Sequence, residues 1–487
     1  MIAVFPPNSP YKVYCQNCWW SDKWDPLEFG RDFDFTRPFF AQFADLIKEV
    51  PFCGLTNQAT SLENSEYVNY MTDAKNCYLV FAANYLEDCM YSSYIWQSRD
   101  VLDSLYSTKL ELCYFCVDCD ELYNCKYLQN SKGCIDCTLG FELKNCKNCF
   151  GCVNLQNKEF HFFNKALNKD EYEKKVDEIM NNRKKFMEMK NEFRTFSLKF
   201  PKRFAHQINC ENSSGDGIKN CKNATSCFEG YGGQDIKWMI NFPGEVRDCY
   251  DISGCAKLER AIDSHALVPG YEIQFSNTCL NGGNNLSYCA YTDGGKNCFG
   301  CIGIKKTEYA ILNKRCSRQE YEKMLPKILD HMEKAGEYGE FFPINVSPFA
   351  YNETVAQEFF PMTEEEAKKN GYTWNIYEKK QSKKEPSRLP NNIQETKDTI
   401  TDEVLTCANC MEDYKIIPQE LKFYRKININ IPDTCTSCRQ KYLLGSRNPR
   451  KLWKRNCDKC SNAIQTTYSS DRPEIVYCEK CYLEAVY

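Results

Sequence analysis

Residues 112–135 read LCYFCVDCDELYNCKYLQNSKGCI, and a small or apolar side chain falls on every third position: Cys113, Cys116, Cys119, Leu122, Cys125, Leu128, Ser131 and Cys134. An α-helix returns to one face after 3.6 residues and a simple strand after two, so this period suits neither. The stretch is two blocks of a longer pattern. Nine ungapped twelve-residue blocks begin at Phe52, Asn64, Asn76, Asp88, Asp100, Leu112, Asn124, Asp136 and Asn148. Their second positions run Cys53, Ser65, Cys77, Cys89, Val101, Cys113, Cys125, Cys137 and Cys149. Their eighth positions run from Ala59 through Cys119 to Leu155. Across the second, fifth, eighth and eleventh positions only Lys158 is charged.

Such columns predict a narrow β-solenoid, in which each coil turns several corners and sends one side chain inward per short side. Seven of the nine blocks open with Asn or Asp, which fits a corner and a side-chain ladder along the stack. With coils about 4.8 Å apart, the nine would form a rod of roughly 40 Å. In period and Cys placement the repeat resembles the twelve-residue coils of some insect antifreeze proteins. The flat Thr-x-Thr face of those proteins is missing, so the resemblance implies geometry alone. The column cysteines read as small buried filler, with metal binding at Cys113/Cys116/Cys119 or Cys146/Cys149/Cys152 as the alternative. An outward aromatic column, Tyr67, Tyr91, Phe115 and Tyr127, reads either as a binding face or as stacking between coils.

A second copy follows. NCFGC occurs at 148–152 and at 297–301, and the likeness continues to a shared EYEK at 171–174 and 320–323. Each copy then enters a helix with a cap, Asn168 with Glu171 and Ser317 with Glu320. The expected fold class is mainly β with helical caps: two narrow β-solenoids, the first with 12-residue coils, flanked by small zinc-ribbon modules. The divisions are 1–30, a partial ribbon half and Trp-rich segment; 31–51, a helical cap; 52–159, the regular solenoid; 160–206, a cap; 207–312, a second solenoid whose cysteines hold no single period; 313–377, a cap; 378–403, a polar linker; 404–441, a four-cysteine module; and 442–487, a four-cysteine ribbon.

The chain has 487 residues, 32 of them Cys, and a net charge of −4. Near-neutral charge excludes a globally basic nucleic-acid or membrane binder, so any such partner needs a local patch. The first residues show no secretory signal and no apolar stretch reaches the ~18 residues of a membrane span. Many cysteines without a signal point to thiols and metal ligands in a reducing cytoplasm.

The strongest motifs are two four-cysteine sets, Cys407/Cys410 with Cys435/Cys438 and Cys457/Cys460 with Cys478/Cys481. Paired Cys-x2-Cys knuckles suit Zn²⁺, and four cysteines leave no open position, which implies structural metal. A third pair, Cys15 and Cys18, sits in VYCQNCW. Residues 5–19 align without gaps to 468–482, matching Cys15 and Cys18 to Cys478 and Cys481. The expectation is a third, incomplete zinc site whose first knuckle lies upstream of Met1; the alternative is ligation with other cysteines of the fold. Residues 404–441, with Cys-x2-Cys, a central FY and a closing Cys-x2-Cys-Arg, resemble the "probable zinc-binding domain" family. The whole layout, with CWWSDKWDPLEFGRDFDFTRPFF early and YCEKCY late, is similar to Cys-rich zinc-ribbon proteins of small-genome candidate-phylum bacteria. That resemblance implies zinc ribbons and no particular activity.

The four His lie in no metalloenzyme motif, and no phosphate loop, nucleophile elbow or dinucleotide fingerprint occurs. A non-enzymatic role is expected. Between the two cysteine sets, residues 439–455 carry Arg439, Lys441, Arg447, Arg450, Lys451, Lys454 and Arg455 with Tyr442 and Trp453 and no acid. A basic strip with aromatics suits phosphates and stacked bases, so RNA or DNA is the expected partner. A protein partner on the solenoid faces is the alternative.

Overall fold

The computed structural model describes residues 2–7, 9–57, 61–242, 244–255, 258–259, 262–267, 270–377, 382 and 385–486; within 255–273 and 278–282 the backbone alone is described. Ala59 and the side chains of Cys255 and Cys279 therefore lie outside the described residues. The chain is mainly β, with helices before, between and after two large sheets.

In the first sheet the parallel register is constant. Asn69 pairs with Phe81, Phe81 with Ser93, Ser93 with Leu105, Lys126 with Thr138 and Thr138 with Phe150, each twelve residues on. Every third residue from Asn64 to Phe163 has a positive φ, between 45° and 68°. The left-handed region costs a non-glycine residue on the order of 1 kcal/mol or more. It persists because hydrogen bonds lock it from both sides. The Asp118 N–H donates to Leu105 O thirteen residues back (3.1 Å), and the Val117 N–H donates to Leu128 O eleven residues on (2.9 Å).

From Val68 to Cys152 the residue after each left-handed position is buried. Every member of the buried core cluster of this region, from Val68 to Cys152, belongs to one of the four columns expected from the sequence. Cysteine fits there for two reasons. It is small, and its thiol donates to carbonyls that line the interior: Cys119 Sγ reaches Val117 O (3.2 Å) and Leu128 O (3.5 Å). Serine does the same, since Ser107 Oγ donates to Leu105 O (3.0 Å) and accepts the Cys119 N–H (3.1 Å). Cysteines of the described residues are free thiols. The expected Asn/Asp ladder is present: Asn64 Nδ2 donates to Asn76 Oδ1 (2.8 Å), Asn76 to Asp88 (3.1 Å) and Asn124 to Asp136 (2.6 Å).

The second sheet is more regular than its cysteine spacing suggests. Registers of twelve dominate, as in Gly215 with Cys227 and Tyr250 with Ile262. Single-residue slips interrupt them: eleven at Gln207 with Ile218, thirteen at Gly233 with Val246 and at Asn277 with Ala290. These slips break the cysteine period on paper while the three-residue inward period, Ile218, Cys221, Ala224 and Cys227, survives.

Two expected divisions change. The Phe39–Glu49 helix does not cover the first repeat. Phe39 packs on Tyr288 and Phe299 at the far end of the second, and its N–H with that of Phe40 donates to the Glu337 carboxylate (2.7 and 2.9 Å). Its counterpart, the Arg183–Ser197 helix, covers the end of the first repeat, where Phe196 meets Phe163. Each helix then leads into the first strand of the other repeat. The expected linker is also partly structured: Ile393 and Ile400 are buried in the apolar cluster of the C-terminal module, so 389–403 folds onto it.

A narrow interior tolerates polarity better than bulk. Cys116→Ser is expected to retain the fold with little change in urea midpoint, while Cys116→Leu is expected to cost about 1–3 kcal/mol through overpacking.

Candidate metal centre

Each C-terminal cysteine set is assembled from a short hairpin and a helix start. Leu405–Thr406 pairs antiparallel with Asp413–Tyr414 and presents Cys407 and Cys410; Cys435 and Cys438 open the Thr436–Ser446 helix. Trp453–Asn456 pairs with Ala463–Thr466 and presents Cys457 and Cys460, while Cys478 and Cys481 stand at the start of the Glu479–Val486 helix. In each set the four sulfurs lie within 4.8 Å of one another.

The donor set fits a tetrahedral metal. Zn–S bonds of about 2.3 Å place sulfurs about 3.8 Å apart. Cys410 and Cys435 Sγ are 3.6 Å apart, and Cys460 and Cys478 Sγ 3.7 Å apart, far beyond a disulfide. Backbone N–H groups favour the thiolate. Burial opposes charge on Cys407, but the N–H groups of Cys435, Cys410 and Asn409 outweigh it and hold the thiol down at about 7. Burial likewise opposes charge on Cys457, and the N–H groups of Cys478, Cys460 and Lys459 bring it to about 6.

Cys15 and Cys18 form a knuckle without a second pair. Among the described residues the two C-terminal sets are the four-cysteine groups able to hold an ion. The alignment of 5–19 with 468–482 is nevertheless structural. Val13 and Tyr14 pair in parallel with Phe52 and Cys53, where the first repeat begins. Val476 and Tyr477 pair in parallel with Lys202 and Arg203, where the second begins.

The basic strip of 439–455 is not a free surface. Arg439, the residue after Cys438, is buried with its Nε 2.8 Å from Asp103 Oδ2 and its Nη2 3.1 Å from Glu420 Oε1. Tyr424 and Tyr91 hydroxyls donate to the same glutamate (2.6 and 3.2 Å). Arg447, its side chain 8% exposed, bridges the two repeats, bonding Asp118 (2.8 Å) of one and Glu229 of the other over the Tyr106 ring. Arg450 is buried against Tyr106, Asn241 and the Phe359 ring. Arg455 bonds Asp458 (2.9 Å) and the Glu474 carbonyl (2.8 Å) inside the ribbon. Lys441, Lys451 and Lys454 remain exposed, and Trp453 is half-buried under Lys451. The strip's arginines thus serve as internal clamps, because carboxylates of the repeats lie where they reach. The aromatic column is likewise covered: Tyr91, Phe115 and Tyr127 pack under the 389–444 module or against the Lys190 ammonium, and only Tyr67 is exposed.

Sequence reading missed a cleft of about 830 Å³ between the repeats and the ribbon. One wall is Ser446–Arg450, and the lysines of the others include Lys132, Lys144, Lys202 and Lys219. Its carboxylates are already engaged: Asp118 and Glu229 by Arg447, Asp120 by Lys132 (2.7 Å), and Glu474 by Arg472. Glu142 and Asp216 flank His206, at 2.6 Å from Nε2 and 3.1 Å from Nδ1. Lys202 is 4% exposed, lies 3.7 Å from the Phe141 ring centroid and has no hydrogen-bond partner for Nζ. Burial pushes its ammonium down to about 8. No local motif announces these groups, since Glu142 and His206 are 64 residues apart in sequence.

Two outcomes follow from the clamps. Arg439→Ala strands two buried carboxylates and is expected to lower unfolding free energy by about 3–5 kcal/mol, read by urea titration. For His206, burial opposes the charge, but Glu142 and Asp216 outweigh it and raise the imidazole well above its usual range. Asp216 is burdened by burial, yet His206 holds it below the usual carboxylate range. The stabilisation is therefore full between roughly pH 4 and 6.5, lost on further acidification, and lost as pH rises through the raised histidine value. The stability gap between wild type and His206→Gln should be widest in that window and narrow in alkaline buffer.

No family model matches the chain, and no curated protein matches it. A solved structure from Desulfovibrio desulfuricans G20, which bears a provisional acetyltransferase name, is similar over 52% of this chain and 69% of that one, at 10% identity and a TM-score of 0.13. A likeness at that level carries no argument for function.

Proposed function

We propose that this protein is a non-enzymatic, zinc-holding scaffold of two β-solenoids that binds RNA or DNA through the cleft between them. The observation that carries the reading is the charge balance of that cleft. Its carboxylates are consumed by Arg447, Lys132, His206 and Arg472, which leaves Lys144, Lys202 and Lys219 without a carboxylate partner there. The exposed Lys144 and Lys219, uncompensated there, suit a phosphate backbone. The basic strip enters this reading as one wall of the cleft, through Ser446–Arg450.

The metal is zinc in this proposal, held by the two cysteine quartets. All-thiolate ligation leaves no open position for catalysis, so the ion would fasten the modules that carry Arg439 and Arg447. The free thiols favour a reducing compartment, the cytoplasm. Among the described residues no helix is long and apolar enough to cross a membrane.

The test is fluorescence anisotropy of the full chain with labelled single-stranded RNA and DNA from 50 to 300 mM salt. Binding should weaken steeply, by about 0.7 log units per tenfold salt for each phosphate engaged. The Lys132→Glu, Lys144→Glu, Lys219→Glu triple variant, altered at exposed positions, should bind at least tenfold more weakly. Absence of binding to both nucleic acids at low salt contradicts the proposal.

A further inference from the structure

The N-terminal knuckle is built as firmly as the C-terminal one, yet Cys18 is exposed where its counterpart Cys481 is buried. The Phe52 N–H donates to Lys12 O (2.8 Å) and the Gly54 N–H to Tyr14 O (2.8 Å); in the ribbon, the Lys202 N–H donates to Ile475 O (2.7 Å) and the Phe204 N–H to Tyr477 O (3.0 Å). The turns after these strands also agree. The Trp19 N–H donates to Cys15 O (2.9 Å) and the Tyr482 N–H to Cys478 O (2.9 Å). The Cys18 N–H points at Cys15 Sγ (3.4 Å), the kind of N–H···S contact that Cys407 and Cys457 accept in the quartets.

The knuckle is also anchored to both repeats. Its strand pairs with Phe52–Cys53, Trp19 Nε1 donates to Pro51 O (3.1 Å), and Lys305 of the second repeat lies over Trp19 and Trp24 (4.5 and 4.7 Å) and bonds the Trp19 carbonyl. Two thiols are therefore held in ligand geometry on a rigid base. Cys15 is half-buried and Cys18 exposed, and Trp20 beside them is 39% exposed.

We propose that Cys15 and Cys18 form half of an intermolecular zinc site, completed by the same pair of a second copy of this chain. A two-fold axis through the ion gives the four thiolates a tetrahedron needs and places each Trp20 against the partner knuckle. The inference rests on the zinc reading above for the identity of the ion and is independent of the nucleic-acid reading.

Native mass spectrometry of the full chain, purified in a non-thiol phosphine reductant and titrated with zinc, reads both oligomer and metal count. The expected result is a dimer carrying five zinc ions, two per chain in the quartets and one shared. Cys18→Ser, at an exposed position, should give a monomer with two. A wild-type monomer with two or three ions at every zinc concentration overturns the inference and leaves the quartets standing, and so does a dimer that survives Cys18→Ser. Fewer than two ions per chain overturns the zinc reading of the quartets instead.

Discussion

A backbone that repeats its register every twelve residues, bending into the left-handed region at every third, buries four columns of side chains. The rest of the structure follows from the close packing of those columns. Cysteine, serine, alanine and valine fill most column positions, with leucine, isoleucine or methionine at others, such as Met71, Ile95 and Leu128. Thiols and hydroxyls are tolerated because the carbonyls that line the interior accept their protons, as Val117 and Leu128 do for Cys119. Such a core buries little apolar area per residue, so the repeats need cover from outside. They receive it at their ends from the Phe39–Glu49 and Arg183–Ser197 helices, and on the aromatic face of the first repeat from residues 389–444.

The cover is fastened by arginines. Arg439 directly follows Cys438 of the first quartet, so an ion held there would fix the backbone from which the guanidinium reaches Asp103 and Glu420. Arg447 and Arg450, eight and eleven residues further on, tie the first repeat to the second through Asp118, Glu229, Tyr106 and Asn241. Buried charges of this kind add little net stability when whole and cost several kcal/mol when broken. They serve registry: Arg439 and Arg447 each meet two acids in one relative placement of the modules.

How much of this could be read beforehand depends on distance along the chain. The inward columns were legible because their three-residue spacing falls within each block and repeats from block to block, and the buried cluster from Val68 to Cys152 contains no residue outside them. The quartets were legible because knuckle spacing is local, and the match of 5–19 to 468–482 reappears as two equivalent parallel pairings. The helix at Phe39–Glu49 was assigned to the repeat it precedes, whereas its phenylalanines belong to the far end of the other one. The strip at 439–455 read as a surface because Asp103, Asp118 and Glu229, which meet its arginines, lie hundreds of positions away. Glycine pairs and single-residue slips hid the regularity of the second repeat, and the His206 cluster left no local trace at all.

The central claim is that the repeat cysteines are filler and the C-terminal cysteines are ligands. It is tested most directly by the metal content of a chain in which Cys77, Cys89, Cys113, Cys125, Cys137 and Cys149 are all replaced by serine. Serine already occupies the other columns in the same hydrogen-bonded pose, as at Ser98 and Ser107. The expected result is a folded protein with the same zinc per chain as wild type. A loss of zinc, or a chain that no longer folds, contradicts it.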